Sequence, residues 1–451
     1  MADKEKVTGG SPAEMSAEEV LQKFDKESDK REMDGLWGHL ISGICILFAV
    51  FQLYTAIFGV LDAHLQRTVH LCFGLSLIYL LYPARAKWSR KAMHPADVIF
   101  ALLSVFATMY LVVEYDQLVL RAGMNTGTDI VIGLLGVVLV FEAARRTVGW
   151  PMITVALVFL AYAFAGPYMP GIMAHRGVGF DELVSHLYFT TEGIFGVPMG
   201  VSSTFIYLFI LFGAYLEATG LGKFFIDLAN ALAGWAVGGP AKVAVLSSGL
   251  MGTVSGSSVA NVAGTGSFTI PMMKKLGYRP SFAGAVEAAA STGGQLMPPV
   301  MGAAAFLMAE FVGVPYINVV KAAVIPAILY YTGIWIGVHY EARKYGLKGT
   351  PREELPKFGR LLAEKGHLAI PLIIIVYLLV TGYTPMRAAL YAIALTIVCA
   401  CLRKSTRITF KDFVNGLING SKGVLGVLIA CATAGIIIGV VTKTGVGLKL
   451  A

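Results

Sequence analysis

The sequence predicts an all-α polytopic membrane protein, and three observations carry that expectation. The 451-residue chain is 56% hydrophobic and only 14% charged, with a mean hydropathy of +0.70, whereas a soluble domain carries roughly 25% charged residues. Its apolar residues gather into repeated runs near the length of a bilayer span. The net charge of +8 sits in short loops between those runs. That is the pattern of the positive-inside rule rather than a continuous nucleic-acid-binding surface, so lipid is the expected environment and nucleic acid is no partner.

Taken in order, the polar residues 1–35 form a cytoplasmic segment, in which "SAEE" (Ser16 to Glu19) is a capping box opening an amphipathic helix. No cleavable signal peptide is evident. Residues 36–147 hold four spans, at 36–60, 68–82, 97–119 and 128–145. The basic loop "PARAKWSRK" (Pro83 to Lys91) and the pair Arg145-Arg146 place the inner ends of these spans. A fifth span at 148–168 and an outside linker complete a connecting unit, 148–199. Cys45, Cys72, Cys399, Cys401 and Cys431 fall in apolar segments without ligand spacing and read as small hydrophobes.

Residues 200–342 read as a repeat unit. A span at 200–218 ends in "TGLG", and "FFIDLANALAGW" (Phe224 to Trp235) is too short to cross, so it is expected to lie flat as an arm. Basic residues flank 241–273 on both sides, so that segment is expected to be a re-entrant hairpin with "GTVSGSSVANVAGTG" (Gly252 to Gly266) as an unwound tip, with two complete short spans as the alternative. The run 281–313 is broken at "GGQLMPP" (Gly293 to Pro299), and 319–341 leads to a loop with seven basic residues between Arg343 and Lys365. Residues 343–421 add that loop and a helix pair, 368–382 and 386–402. The segment 422–451 begins a further unit with a span at 422–441, for a total of eleven spans and one hairpin.

"TGLG" at Thr219 recurs as "TGVG" at Thr444, each closing an apolar span. Loop charges give those spans opposite directions, as in inverted-repeat transporters. A second hairpin and broken helix would fall beyond Ala451, so the chain is expected to be part of a longer permease whose second repeat is incomplete here.

Irregular backbone survives at membrane depth only where protein or a wet cavity satisfies it. Ser255, Gly256, Ser257, Ser258 and Asn261 at the first break, and Thr292, Gly293, Gly294, Gln295, Met297 and Pro298 at the second, supply hydroxyls, an amide and free carbonyls. Proline contributes by removing amide donors. Two facing broken helices are the expected home of substrate and coupling ion; the alternative is that these small residues serve only helix packing. Oxygen donors without a His/Cys cluster suit Na⁺, held by Ser255, Gly256, Ser257, Gly293 and Gly294. Glu287 is the deepest ionisable residue of the region and either binds an ion or substrate or is structurally paired. Glu142, Glu217 and Glu310 lie near span ends.

These motifs, "GTVSGSSVANVAGTGSFTIPMMKKLGY" followed by "AAASTGGQLMPP", resemble the large-subunit permease of tripartite ATP-independent periplasmic (TRAP) transporters from about Val201 to the chain end. The resemblance implies an inverted-repeat, elevator-type transporter with Na⁺ sites at the breaks and a periplasmic substrate-binding protein as partner. It further implies residence in the bacterial inner membrane and import of a small organic anion by an ion gradient. By order and length the first four spans look like the small subunit, and such a fusion is similar to permeases of the TAXI subgroup. H⁺ is the alternative coupling ion. No cofactor beyond the ion is expected.

An intramembrane serine protease built on "GSSV" at Gly256 would need a histidine base, and the eight histidines all lie near span ends or loops. An inactive scaffold fragment is the third possibility. The chain has no G-x-x-x-x-G-K-[ST] motif, so no ATPase function or ATPase subunit is implied.

Overall fold

The computed structural model describes residues 30–450, apart from Glu32, Ala86, Lys87, Ser89, Lys91 and Ser405, with only the backbone of Leu450. The "SAEE" helix lies outside the described residues. Those residues form helices and connecting turns, without a strand. Eight helical stretches among them are long and apolar enough to cross a membrane.

The first unit comprises α1 (Gly35–Phe58), α2 (Ala63–Leu81), α3 (Pro95–Val113), the short α4 (Tyr115–Leu120) and α5 (Gly127–Thr147), followed by α6 (Trp150–Ala165). Thr126 opens α5 with a capping box to Asp129, satisfying two amides that the first helical turn cannot. Helix α2 is long enough to span but too polar to count among the eight. Its Gln66, Thr68 and His70 are buried rather than lipid-facing. Residue 31, the 82–84 loop, Asp97 and Arg145-Arg146 meet at one end of this unit. Arg31 and Arg146 grip Asp97 at 2.6 and 2.7 Å, while Arg145 donates to Ala84 O at 2.8 Å. The basic loops that the charge pattern assigns to one side thus share one end of the bundle.

After α7 (Phe180–Phe189), α8 (Val197–Ala218) runs through a π turn at Ser202–Ile206. Next come α9 (Leu221–Ala233), the hairpin helices α10 (Gly239–Ser255) and α11 (Ser258–Lys275), α12 (Pro280–Thr292), α13 (Ala303–Val312) and α14 (Tyr316–Lys344). The chain closes with α15 (Phe358–Lys365), α16 (Ile370–Val380), α17 (Pro385–Cys401), α18 (Phe410–Gly423), α19 (Leu425–Thr444) and α20 (Val446–Leu450).

Three of the eleven expected spans fall outside the eight. They are the polar α2, the broken pair α12 and α13, and the 17-residue α17. Expected span 422–441 is α19, and the capped amphipathic helix α18 leads into it. Both T-G-x-G corners share a geometry: Gly220 (φ +81°) and Gly445 (φ +68°) are left-handed and the next helix starts at once. Helix α9 packs along α10 and α15.

Two hydrophobic clusters result. The larger joins the first unit to α8, α18 and α19: Phe48 packs on Tyr207 at 4.8 Å, and Ser421 bridges Tyr207 OH and Cys45 O at 2.6 and 2.8 Å. The smaller, with Ala241, Val245, Met273, Ala283, Val286, Ala290 and Val338, unites the hairpin, α12 and α14. Ile325, Ile328 and Leu329 of α14 are exposed, as a lipid-facing flank requires.

Candidate ion and substrate site

The first break is far shorter than its composition suggests. Only Gly256 and Ser257 leave the helical path between α10 and α11, so Gly252–Ser255 and Ser258–Gly266 are helix rather than unwound strand. The small residues serve close approach, as at other membrane helix contacts. A Cβ on Gly252 would stand 2.4 Å from Gly294 Cα. Gly256 makes the turn at φ +59°, where a side chain is disfavoured. A Cβ there would meet Met301 O at 2.1 Å. Ser257 caps α11, its Oγ accepting from Ala260 N at 3.3 Å. The tip therefore sets the carbonyl end of α10 beside the amide end of α11.

The second break is where the sequence places it. Helix α12 tightens into a 3-10 turn at Gly293–Leu296, and Met297 to Gly302 run without helix before α13. Tyr330 OH donates to Ala289 O at 2.7 Å and Tyr331 OH to Ala290 O at 3.0 Å, carbonyls of the last turn of α12. Tyr316 OH lies 2.8 and 2.7 Å from Pro299 O and Val300 O. These three tyrosines of α14 shelter the broken backbone, and none of them is among the predicted site residues.

The two breaks touch. Gln295 Nε2 donates to Ser258 Oγ at 3.1 Å, and Gly302 N donates to Gln295 O at 2.9 Å. Asn261 is fully buried, with Nδ2 on Ser248 O at 2.8 Å and its Oδ1 without a partner. Beside them opens a cavity of about 1000 Å³, bounded by Ser255, Gly256, Ser257 and Gln295 and faced by Glu217 and Asn318. Glu217 therefore borders the cavity rather than only a span end.

The other predicted site residues divide. Ser258 stands behind the tip through its bond to Gln295. Asn261, Gly293 and Gly294 are buried, and Gly293 packs under the rings of Tyr330 and Tyr331. Thr292 is exposed and bonded to Ala288 O at 2.7 Å; neither it, Met297 nor Pro298 lines the cavity.

Glu287 lies outside the cavity lining and is buried completely. Its Oε1 accepts from Ser248 Oγ at 2.8 Å, from Ser291 Oγ at 3.1 Å and from Thr265 Oγ1, while Oε2 accepts from Thr269 Oγ1. Ser248 belongs to α10, both threonines to α11, and Ser291 to α12. One carboxyl thus ties three helices together.

Histidine placement needs one correction. His70 sits well inside α2, fully buried, with Nδ1 2.6 Å from Gln52 Nε2 and Nε2 3.0 Å from Ser202 Oγ in the π turn. It does not serve the "GSSV" serine, since both its ring nitrogens are engaged, by Gln52 and Ser202. No group of three or more His, Cys, Asp or Glu able to hold a metal occurs among the described residues.

Residues 135–451 match the family described as "Tripartite ATP-independent periplasmic transporter, DctM component". The chain is 32% identical to the C4-dicarboxylate TRAP transporter large permease protein DctM of Pseudomonas aeruginosa, over 41% of this chain and 43% of that protein. It is 27% identical to the sialic acid TRAP transporter large permease protein SiaM of Vibrio cholerae, over 42% and 44% respectively. Identity is 28% to the isethionate TRAP transporter permease protein DctMQ of Oleidesulfovibrio alaskensis, over 43% of this chain and 30% of that protein. In each case the match spans half the relative's length or less. The matched relatives with descriptive names are permeases rather than enzymes.

Proposed function

The chain belongs to the DctM-component family of tripartite ATP-independent periplasmic transporters, and from that premise we propose that it works as a permease importing a small organic anion by secondary active transport. Family and helices agree on a multi-pass protein of the inner membrane. The observation that carries the transport proposal is the meeting of two helix breaks at one cavity, Gly256-Ser257 against Gln295 and Met301.

Na⁺ is the proposed coupling ion. Hard oxygen donors suit it, and Asn261 Oδ1, buried and unpartnered beside Gly294, supplies one more than Ser255, Gly256, Ser257, Gly293 and Gly294 offer. The three named relatives carry a C4-dicarboxylate, a sialic acid or isethionate by name, which supports an anionic solute. A periplasmic substrate-binding protein is the proposed partner that delivers it.

The separate hydrophobic cluster of hairpin, α12 and α14 supports an elevator-like moving body. Helices α1 to α3 precede the family match, which begins at residue 135. They support a fused small-subunit-like unit of the TAXI kind. H⁺ is the second candidate for coupling, favoured by the buried Glu287.

Uptake into proteoliposomes holding the permease and its binding protein is expected to require an inward Na⁺ gradient. Equal uptake with Na⁺ balanced across the membrane rules out Na⁺ coupling.

A further inference from the structure

We propose that the exposed basic end of α14, together with the start of α12, binds the headgroup of an anionic phospholipid of the inner leaflet. The inference uses only the membrane setting and does not rest on the transport reading.

Two stretches meet at this end of the molecule: residues 239–280, the hairpin and its exit, and residues 335–350, the close of α14. Together they hold seven basic residues and one acidic residue, Glu341. Lys242 is buried and turned inward, onto His339 Nδ1 at 3.2 Å and the Trp335 ring at 5.1 Å. The other six, Lys274, Lys275, Arg279, Arg343, Lys344 and Lys348, are exposed. Glu341 answers Arg279 at 2.8 Å, and among the described residues no other carboxylate pairs with any of the six. Such an excess belongs on the cytoplasmic side, against the anionic lipids of that leaflet.

The charges are gathered as well as numerous. Arg279 lies over the Tyr345 ring at 5.3 Å, and Lys344 lies over the same ring at 5.4 Å. One ring thus carries two cations, one from the start of α12 and one from the end of α14. Like charges so placed repel. A phosphate beside them offsets that repulsion, and both side chains are good phosphate donors. The next charged turn, Arg352–Glu354, begins on the α9 side, where Arg352 lies over the Trp235 ring at 4.9 Å.

The helix face above the charges separates a lipid from a free anion. Gly333, Gly337, Tyr340 and Lys344 recur at helical spacing, so they share one side of α14. Both glycines are exposed, with open space where a side chain would stand. Ile336 beside them is 49% exposed and Tyr340 65%. The face is therefore a bare apolar furrow, and Lys344 stands two turns below Gly337, about 10 Å along the axis. An ammonium there reaches the headgroup layer, and Tyr340 sits at the level that tyrosine favours. A single molecule with an acyl tail and a phosphate meets furrow, ring and cations together. A zwitterionic lipid brings the tail but adds a cation of its own, and free phosphate leaves the furrow empty.

Native mass spectrometry of this chain, delipidated in detergent, tests the proposal with phosphatidylglycerol as the probe. Phosphatidylglycerol is expected to bind roughly tenfold more tightly than phosphatidylcholine, and K344Q and R279Q each to lower that preference about fivefold. Gly337→Leu keeps every charge and meets open space, so it is expected to fold and to weaken both lipids alike. Glycerol phosphate, which has the anion without the tail, is expected not to compete. Equal affinity for the two lipids, a preference that K344Q and R279Q leave intact, or full binding by Gly337→Leu overturns the proposal. Competition by glycerol phosphate reassigns the cluster to a free anion and overturns it too. If R279Q fails to fold because Glu341 loses its partner, K344Q carries the charge test, since Lys344 has no carboxylate to orphan.

Discussion

Asp97 and Glu287 are both carboxylates without solvent exposure, each at a junction of three segments, and they are held in opposite ways. Asp97 is clamped by Arg31 at 2.6 Å and Arg146 at 2.7 Å, all side chains fully buried. Arg146 also lies over the rings of Tyr79 and Phe100 and donates to Glu142 at 2.8 Å. Glu287 is met by hydroxyls alone. A clamp of opposite charges suits a permanent joint, since removing one partner leaves the others buried and uncompensated. A shell of hydroxyls serves the charged and the neutral carboxyl alike, because each hydroxyl both donates and accepts. The first unit is thus joined by opposite charges, and the hairpin by hydroxyls around a single carboxyl.

Substitution exposes that contrast most sharply. Asp97→Ala strips two buried guanidinium groups of their counter-charge and is expected to cost about 3–5 kcal/mol. In practice this means loss of folded protein, read as melting temperature and monodisperse yield. Glu287→Gln keeps the shape, and hydroxyls that can accept as well as donate can meet its amide, so it is expected to cost less than about 1.5 kcal/mol, in the range of one ordinary hydrogen bond. Equal losses for the two variants would erase the distinction between a charge clamp and a hydroxyl shell.

Much of this was legible in the sequence, and what was not has physical causes. Spans and basic loops follow from hydropathy and charge, which act locally. The extent of the first break was misjudged because glycine and serine have two uses in a membrane, unwinding and close packing, and composition cannot separate them. Only the partner across the contact, Gly294 against Gly252, decides for packing. His70 looked terminal because the apolar run begins near residue 68, while the helix starts at Ala63 with polar turns buried against α1 and α8. Glu287 stood out as an ionisable residue in an apolar run. Its hydroxyl partners are supplied from three helices and left no local signature. The tyrosines of α14 resembled ordinary span residues, although the adjacent pair Tyr330-Tyr331 in mid-span was a signal that could have been used.

Within the hairpin and the broken helix, the two breaks should respond differently to added bulk. Gly294→Leu drives a side chain into Asn261 Nδ2 and Gly252 Cα, both 3.0 Å from the added Cβ. Overpacking of this kind is expected to cost about 1–3 kcal/mol and to abolish uptake. Ser257→Leu points bulk toward the cavity and removes a helix cap, at about 1 kcal/mol. Uptake should again be lost, with the folded yield nearly intact. A Ser257→Leu variant that transports normally would remove the hairpin tip from the pathway.

The smallest effect is expected at Tyr316. Its hydroxyl reaches both Pro299 O and Val300 O but has one hydrogen to share between them. Its ring stacks on Phe306 at 4.3 Å. Tyr316→Phe keeps that stacking and removes only the donor, so stability should fall by about 1 kcal/mol. Two carbonyls of the unwound stretch would then need another donor, and cavity water is the available one, since Val300 also borders the cavity. If transport falls further than stability in this variant, the tyrosine holds the break in its working shape. If both are unchanged, water already satisfies those carbonyls, and the break is wetter than the buried ring implies.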